Sequence, residues 1–129
     1  MIVNVKPDNQ KSESLKKMAE ITLERLDKTD LKKYPSNTLL DYYDIIHKLM
    51  ESLTLKKGVK FMGEGSHHEL IDYIAKQYNL DEQTRLFLQQ IRDYRNRISY
   101  EGFMIQENYI VLNHEKIKKI IKLILSLIK

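Results

Sequence analysis

The chain contains no cysteine and no tryptophan. Without thiols it can form neither a disulfide nor a thiolate metal site, which fits a reducing, cytoplasmic compartment. No stretch approaches the run of roughly 20 apolar residues that spans a bilayer. The opening MIVNVKPDNQKSES lacks the long apolar segment of a secretory signal. The expectation is a cytoplasmic protein with no membrane partner. Recognisable chemistry is scarce as well. GVKFMGEG carries three glycines but no Lys-Ser/Thr pair behind them, which excludes a nucleotide-binding P-loop. No paired carboxylates, Ser/His/Asp set or metal-ligand cluster stands out, so neither a metal nor a cofactor is expected. No internal repeat, low-complexity tract or long linker divides the chain.

What is present is a soluble globular composition, 42% apolar and 31% charged over 129 residues, the size of one domain. The expected unit is a single helical domain over 1–129, with residues 1–10 extended or loosely ordered. The net charge of +4 permits an anionic partner such as RNA or a nucleotide without demanding one.

Helical periodicity dominates. Leu15, Met18, Thr22 and Leu26 predict an amphipathic helix over 12–28. Pro35 disfavours helical geometry at Tyr34, and Ser36 or Asn37 can cap a second helix over 38–56. Its Leu39, Tyr42, Ile46, Leu49 and Leu53, widened by Tyr43 and Met50, form a stripe that faces more than one neighbour. Ser66 and Glu69 have capping-box spacing at the start of a third, short helix. A fourth runs over 81–99, capped by Asp81 and stopped by Gly102. Phe103–Ile105 and Tyr109–Leu112 read as two short strands or a packed loop. Asn113 then caps a last helix whose Ile117, Ile120, Ile121, Ile124 and Ile128 face inward. Short connections favour antiparallel neighbours. The fold class expected is all-α: an up-and-down antiparallel four-helix bundle with an extra short helix, and a short hairpin or loop before the last helix.

RDYRNRISYEGF (92–103) places three arginines within six positions. At about 100° per residue, Phe87, Leu88, Ile91, Tyr94 and Ile98 form the core-facing stripe. Arg95 falls inside it, about 40° from Ile91. Arg92 and Ser99 lie on its border and Asn96 just beyond. Arg97 points away and reads as a surface residue. A guanidinium cannot shed its charge and is costly to bury without partners. Three arrangements answer this. Arg95 snorkels to water, pairs with Asp41, Asp44 or Glu51 on the second helix, or lines a cleft that binds phosphate through its planar fork.

RNRISYEGF near the end of the penultimate long helix resembles the HEPN family. The likeness extends to LLDYYDIIHKLMESLTLKKGVKF, GEGSHHELIDYIAKQYNL and HEKIKKIIKLILSLIK, and covers roughly residues 10–128. The resemblance implies a homodimer whose paired motifs share a cleft. It also implies a metal-independent endoribonuclease of the toxin-antitoxin type, partnered by a minimal nucleotidyltransferase, with RNA or a nucleotide as ligand. Arg95 matches the family arginine and Asn96 the polar residue after it. Tyr100 stands where the family carries histidine, and Gly102 stands where some members carry a modifiable tyrosine. A phenol exchanges protons poorly near neutral pH. The alternative is therefore a non-catalytic interaction or dimerisation module with a degenerate site. The resemblance implies Arg95, Asn96 and Tyr100 as catalytic residues, with Arg92 and Ser99 as supporting binding residues.

Other candidates read as structural. His67 and His68 are adjacent, point about 100° apart on a helix, and read as exposed first-turn residues. His47, beside Ile46 and Leu49, reads mainly as a core histidine, with a place facing the cleft as the alternative, and His114 reads as a surface one. Tyr42, Tyr43 and Tyr94 fall on apolar stripes. The broad apolar faces of the second and last helices suggest burial between two copies of the chain.

Overall fold

The computed structural model describes residues 1–128. It is mostly helical, with one minute sheet. In order come β1 (Ile2–Asn4), α1 (Asn9–Asp27), α2 (Pro35–Lys56), β2 (Val59–Phe61), α3 (Ser66–Gln77), α4 (Glu82–Glu101) and α5 (Glu107–Leu127). The all-α expectation holds at this level.

The second helix, α2, is the hub. It packs against α1, α3, α4 and α5. Twelve of its 22 residues are buried, far more than one apolar stripe supplies, because it is covered on several sides. Leu39, Tyr42, Ile45, Leu49 and Met50 are sealed from solvent. The α2 face, one of the two offered for burial between copies, is thus covered within the chain.

The first helix starts earlier than its periodicity suggested, because Asp8 accepts the Lys11 N–H at 2.9 Å. It buries Ser12, Ala19 and Leu26, while Met18 is 49% exposed. Small residues at 12 and 19 let α1 lie close against α2. Ser12 Oγ donates to the Ser52 carbonyl at 2.7 Å, and Ser52 Oγ donates back to the Ser12 carbonyl at 2.8 Å. Each buried hydroxyl is satisfied by the other helix's backbone.

Within residues 1–10, expected to be extended or loosely ordered, Ile2–Asn4 form the extended strand β1, which pairs antiparallel with β2 in the register Ile2↔Phe61, Val3↔Lys60, Asn4↔Val59. Gly58 makes this possible. Its φ is +74°, and a Cβ there would stand 2.5 Å from the Val5 carbonyl oxygen.

Caps agree with expectation at two ends and differ at three. Asp81 caps α4 through the Thr84 N–H (2.7 Å), and Gly102 ends it at φ +68° with its N–H on the Arg97 carbonyl. Pro35 opens α2 and the N-cap position falls on Tyr34. Ser36 instead accepts the Ile105 N–H at 3.1 Å, tying the loop after α4 to the start of α2. Ser66 lies inside α3 behind an N-cap glycine, Gly65, and Glu69 pairs with the Met1 amino group, so the two form no capping box. The fifth helix begins at Glu107, so residues 109–112 are helical. Asn113 lies within the helix and donates to the Tyr109 carbonyl at 2.9 Å. Buried Ile110 extends the Ile117–Ile121–Ile124 face by two turns, and that tertiary burial outranks the local strand preference of Tyr-Ile-Val-Leu.

Candidate functional site

Arg95 projects from α4 toward α2 and α3 into a cleft of about 530 Å³. Tyr43, Asp44, His47, Glu51, His67 and Ser99 are among its lining residues. The guanidinium stands 5.8 Å from the ring centres of both Tyr43 and Tyr100. Its Nη1 donates to Asn96 Oδ1 at 3.0 Å. None of the three carboxylates offered as partners by the sequence is available to it. Asp41 pairs with Arg25 (3.0 Å), Asp44 with Lys48 (2.6 Å) and Glu51 with His47 (3.1 Å). Among the described residues no carboxylate lies within ion-pair distance of Arg95. It is half-buried, cationic and held only by an amide and two aromatic faces.

The remaining arginines divide otherwise. Arg92 Nε donates to Gln89 Oε1 at 2.7 Å and sits at the margin. Arg97 faces away from the core, as expected, but it is not simply solvated. It covers the Phe103 ring at 4.2 Å. Tyr100 is 77% exposed at the end of α4, beside the cleft rather than within it.

The second half of the site comes from histidines that read as structural in the sequence. His47 of α2 and His67 of α3 stack with ring centres 3.9 Å apart and planes 15° apart. Tyr43 Oη lies 2.9 Å from His67 Nδ1. Tyr43, His47 and Glu51 sit four residues apart along one ridge of α2. The His47 Nε2–H donates to the Glu51 carboxylate, while its Nδ1 is buried and bonded to nothing among the described residues. Nε2 therefore carries a proton in this arrangement. His47, Glu51 and His67 also line a second cavity of about 170 Å³, whose other wall includes Phe61 and Lys60 of β2.

Electrostatics follow from this crowding. Burial, then His47 and Arg95, push the His67 imidazole down to about 4, so it is neutral at physiological pH. Burial raises the Tyr43 phenol to about 12 despite the nearby Arg95 and Arg92. The hydrogen bond from His47 holds the Glu51 carboxyl below the usual range.

The position of α3 against α4 is fixed by Arg85 and Gln89. Arg85 Nη1 bonds Asp72 at 2.8 Å, and Gln89 Nε2 bonds the His68 carbonyl at 3.0 Å. His68 itself turns to Asp72 at 3.3 Å and stays half-exposed, away from the cleft. His114 is less free than expected. Its Nδ1–H donates to the Ile110 carbonyl at 2.9 Å.

Of the expected site residues, Arg95 and Ser99 line the cleft, Asn96 holds Arg95, and Tyr100 and Arg92 flank it. Among the described residues no group of three or more carboxylates and imidazoles is arranged to hold a metal ion, and no helix is long and apolar enough to cross a membrane. No protein-family model, no curated protein and no solved structure matches the chain, so its function is read from this geometry.

Proposed function

We propose that the chain is a HEPN-like domain, an up-and-down helical bundle acting as a homodimer, that binds RNA or a nucleotide through phosphate at Arg95. One observation carries the reading: a half-buried guanidinium faces a cleft while every nearby carboxylate is engaged elsewhere. A permanent charge in that position lacks an anionic acceptor, and its fork suits the paired oxygens of a phosphate.

With an RNA strand in the cleft, the 2′-hydroxyl is the internal nucleophile and no metal is required. Arg95 stabilises the charge that develops on the phosphoryl oxygens. Asn96 fixes the guanidinium plane, and Tyr100 contacts the strand at the mouth. A minimal nucleotidyltransferase partner completes this reading. A second reading, a binding module without chemistry, draws on the exposed phenol of Tyr100, which replaces a proton-exchanging imidazole at the family position.

Labelled RNA incubated with the protein in chelator separates the two. Cleavage supports the nuclease, and retention without cleavage supports the module. Arg95→Ala abolishes either outcome while costing under about 1 kcal/mol of stability, since it breaks no ion pair. Unchanged binding by Arg95→Ala would remove the basis for both readings.

A further inference from the structure

The stacked histidines are not explained by Arg95 alone. His67 is the one titratable side chain of α3 that enters the cleft, and it does so through contacts from two other elements. From α2 it faces Tyr43, His47 and Glu51, and from α4 it feels Arg95 and Arg92. Across the smaller cavity stand Lys11 of α1 and Lys60 of β2. Among these groups Glu51 is the sole carboxylate, and it is bonded to His47. Asp41 and Asp44, which line the same cleft, are paired with Arg25 and Lys48. The surroundings of His67 therefore carry unmatched positive charge.

Resting on the reading of Arg95 as a phosphate site, we propose that His67 is the second phosphate ligand of the cleft, and that it takes up a proton from solvent as the phosphate enters. In the empty cleft His67 is neutral because burial, and after it the positive charge around the ring, disfavours the imidazolium. A phosphate between His67 and Arg95 reverses that balance, since its charge favours the imidazolium. Tyr43 makes the change inexpensive. Its hydroxyl donates to Nδ1 of the neutral ring and, by rotating, accepts from Nδ1–H of the protonated one. Stacking on His47 holds the ring plane in both states, so Nε2–H stays available to a phosphate oxygen. The ligand class is a phosphate group carried by a nucleotide or by an RNA backbone.

The test follows the His67 ring resonance by NMR from pH 8 to pH 4, assigned with His67→Gln. It is run on the free protein, with saturating adenosine 5′-monophosphate, with an oligouridylate lacking terminal phosphates, and with adenosine as the uncharged control. The expected result is an upward displacement of the His67 midpoint by about one pH unit or more with a phosphate ligand and none with adenosine. Displacement by the nucleotide alone assigns the site to terminal phosphates; displacement by the oligonucleotide assigns it to the backbone. His67→Gln binds the same ligand roughly tenfold more weakly near pH 6, and its deficit grows as pH falls. Arg95-dependent binding that leaves the His67 midpoint unmoved would overturn this inference and spare the Arg95 site. Failure of both ligands to bind would overturn the two together.

Discussion

At the residue scale the cleft is a set of side chains held away from their ordinary ionisation behaviour by burial and by each other. His67 shows what this does to stability. In the folded chain burial, His47 and Arg95 bring it to about 4, against 6.5 for an unperturbed histidine. Between those values the unfolded chain binds one more proton than the folded chain. Folding stability therefore rises with pH across that window and is lost as pH falls through it, while above 6.5 His67 contributes no slope. Glu51 acts in the same direction but lower, since its contribution is lost only as pH drops below 4.5. Denaturant unfolding measured from pH 7 to pH 4 should show a steeper loss for the wild type than for His67→Gln. Parallel curves would mean that His67 titrates as though exposed. The arginine of this site was legible in the sequence because one helix's periodicity places it. Arg95 falls between Ile91 and Leu88, and both are buried. The ridge Tyr43–His47–Glu51 was legible by the same arithmetic, as three polar-tipped residues at four-residue spacing, but apolar neighbours masked it. His67 was not legible, since only the packing of α3 onto α2 brings it to His47.

At the element scale, local signals succeeded where the chain itself supplies the cap and failed where a distant segment does. Asp81 and Gly102 need nothing beyond their own helix. The sheet of β1 and β2 depends on residues more than fifty positions apart, and Glu69 serves Met1 instead of Ser66. The α1 face was misjudged because apolar character marked Met18, whereas close packing on α2 required the small Ser12 and Ala19. Gly58 tests this contact-driven layer. Its neighbour in the chain, Gly63, has a similar positive φ of +85° but open space around it. Gly63→Ala should cost only the left-handed backbone penalty, about 1 kcal/mol. Gly58→Ala adds a collision with the Val5 carbonyl, which also accompanies the Val5 N–H to Gly58 O bond of 2.8 Å. We expect it to cost roughly 2–3 kcal/mol or to release β1, seen as faster amide exchange at Val5. Equal losses for the two alanines would show that β1 does not press on Gly58.

At the scale of the whole molecule, α2, one of the two helices whose apolar faces the sequence offered for burial between copies, is covered within the chain, while large exposed apolar side chains gather along residues 100–112, which run into α5, the other. Tyr100 and Met104 are each 77% exposed, and Leu112 is 72% exposed. A lone exposed leucine needs no explanation, whereas several large side chains in one short segment suit a covered surface. The proposed homodimer would use this surface, and a standard interface takes about 800 Å² from each partner, roughly a tenth of the 7721 Å² accessible here. Because Tyr100 both belongs to that segment and faces Arg95, an interface there reaches the mouth of the cleft. Assembly and ligand binding should then be coupled, although Met104 and Leu112 do not line the cleft. The double substitution Met104→Glu and Leu112→Glu places like charges on both copies, and sedimentation should show a monomer where the wild type gives a dimer. RNA affinity should fall with it, by roughly tenfold or more if each copy supplies part of the groove. A wild-type monomer at all concentrations would end the dimer proposal. A dissociated variant that binds RNA as tightly as the wild type would instead show that each chain carries a complete phosphate site of its own.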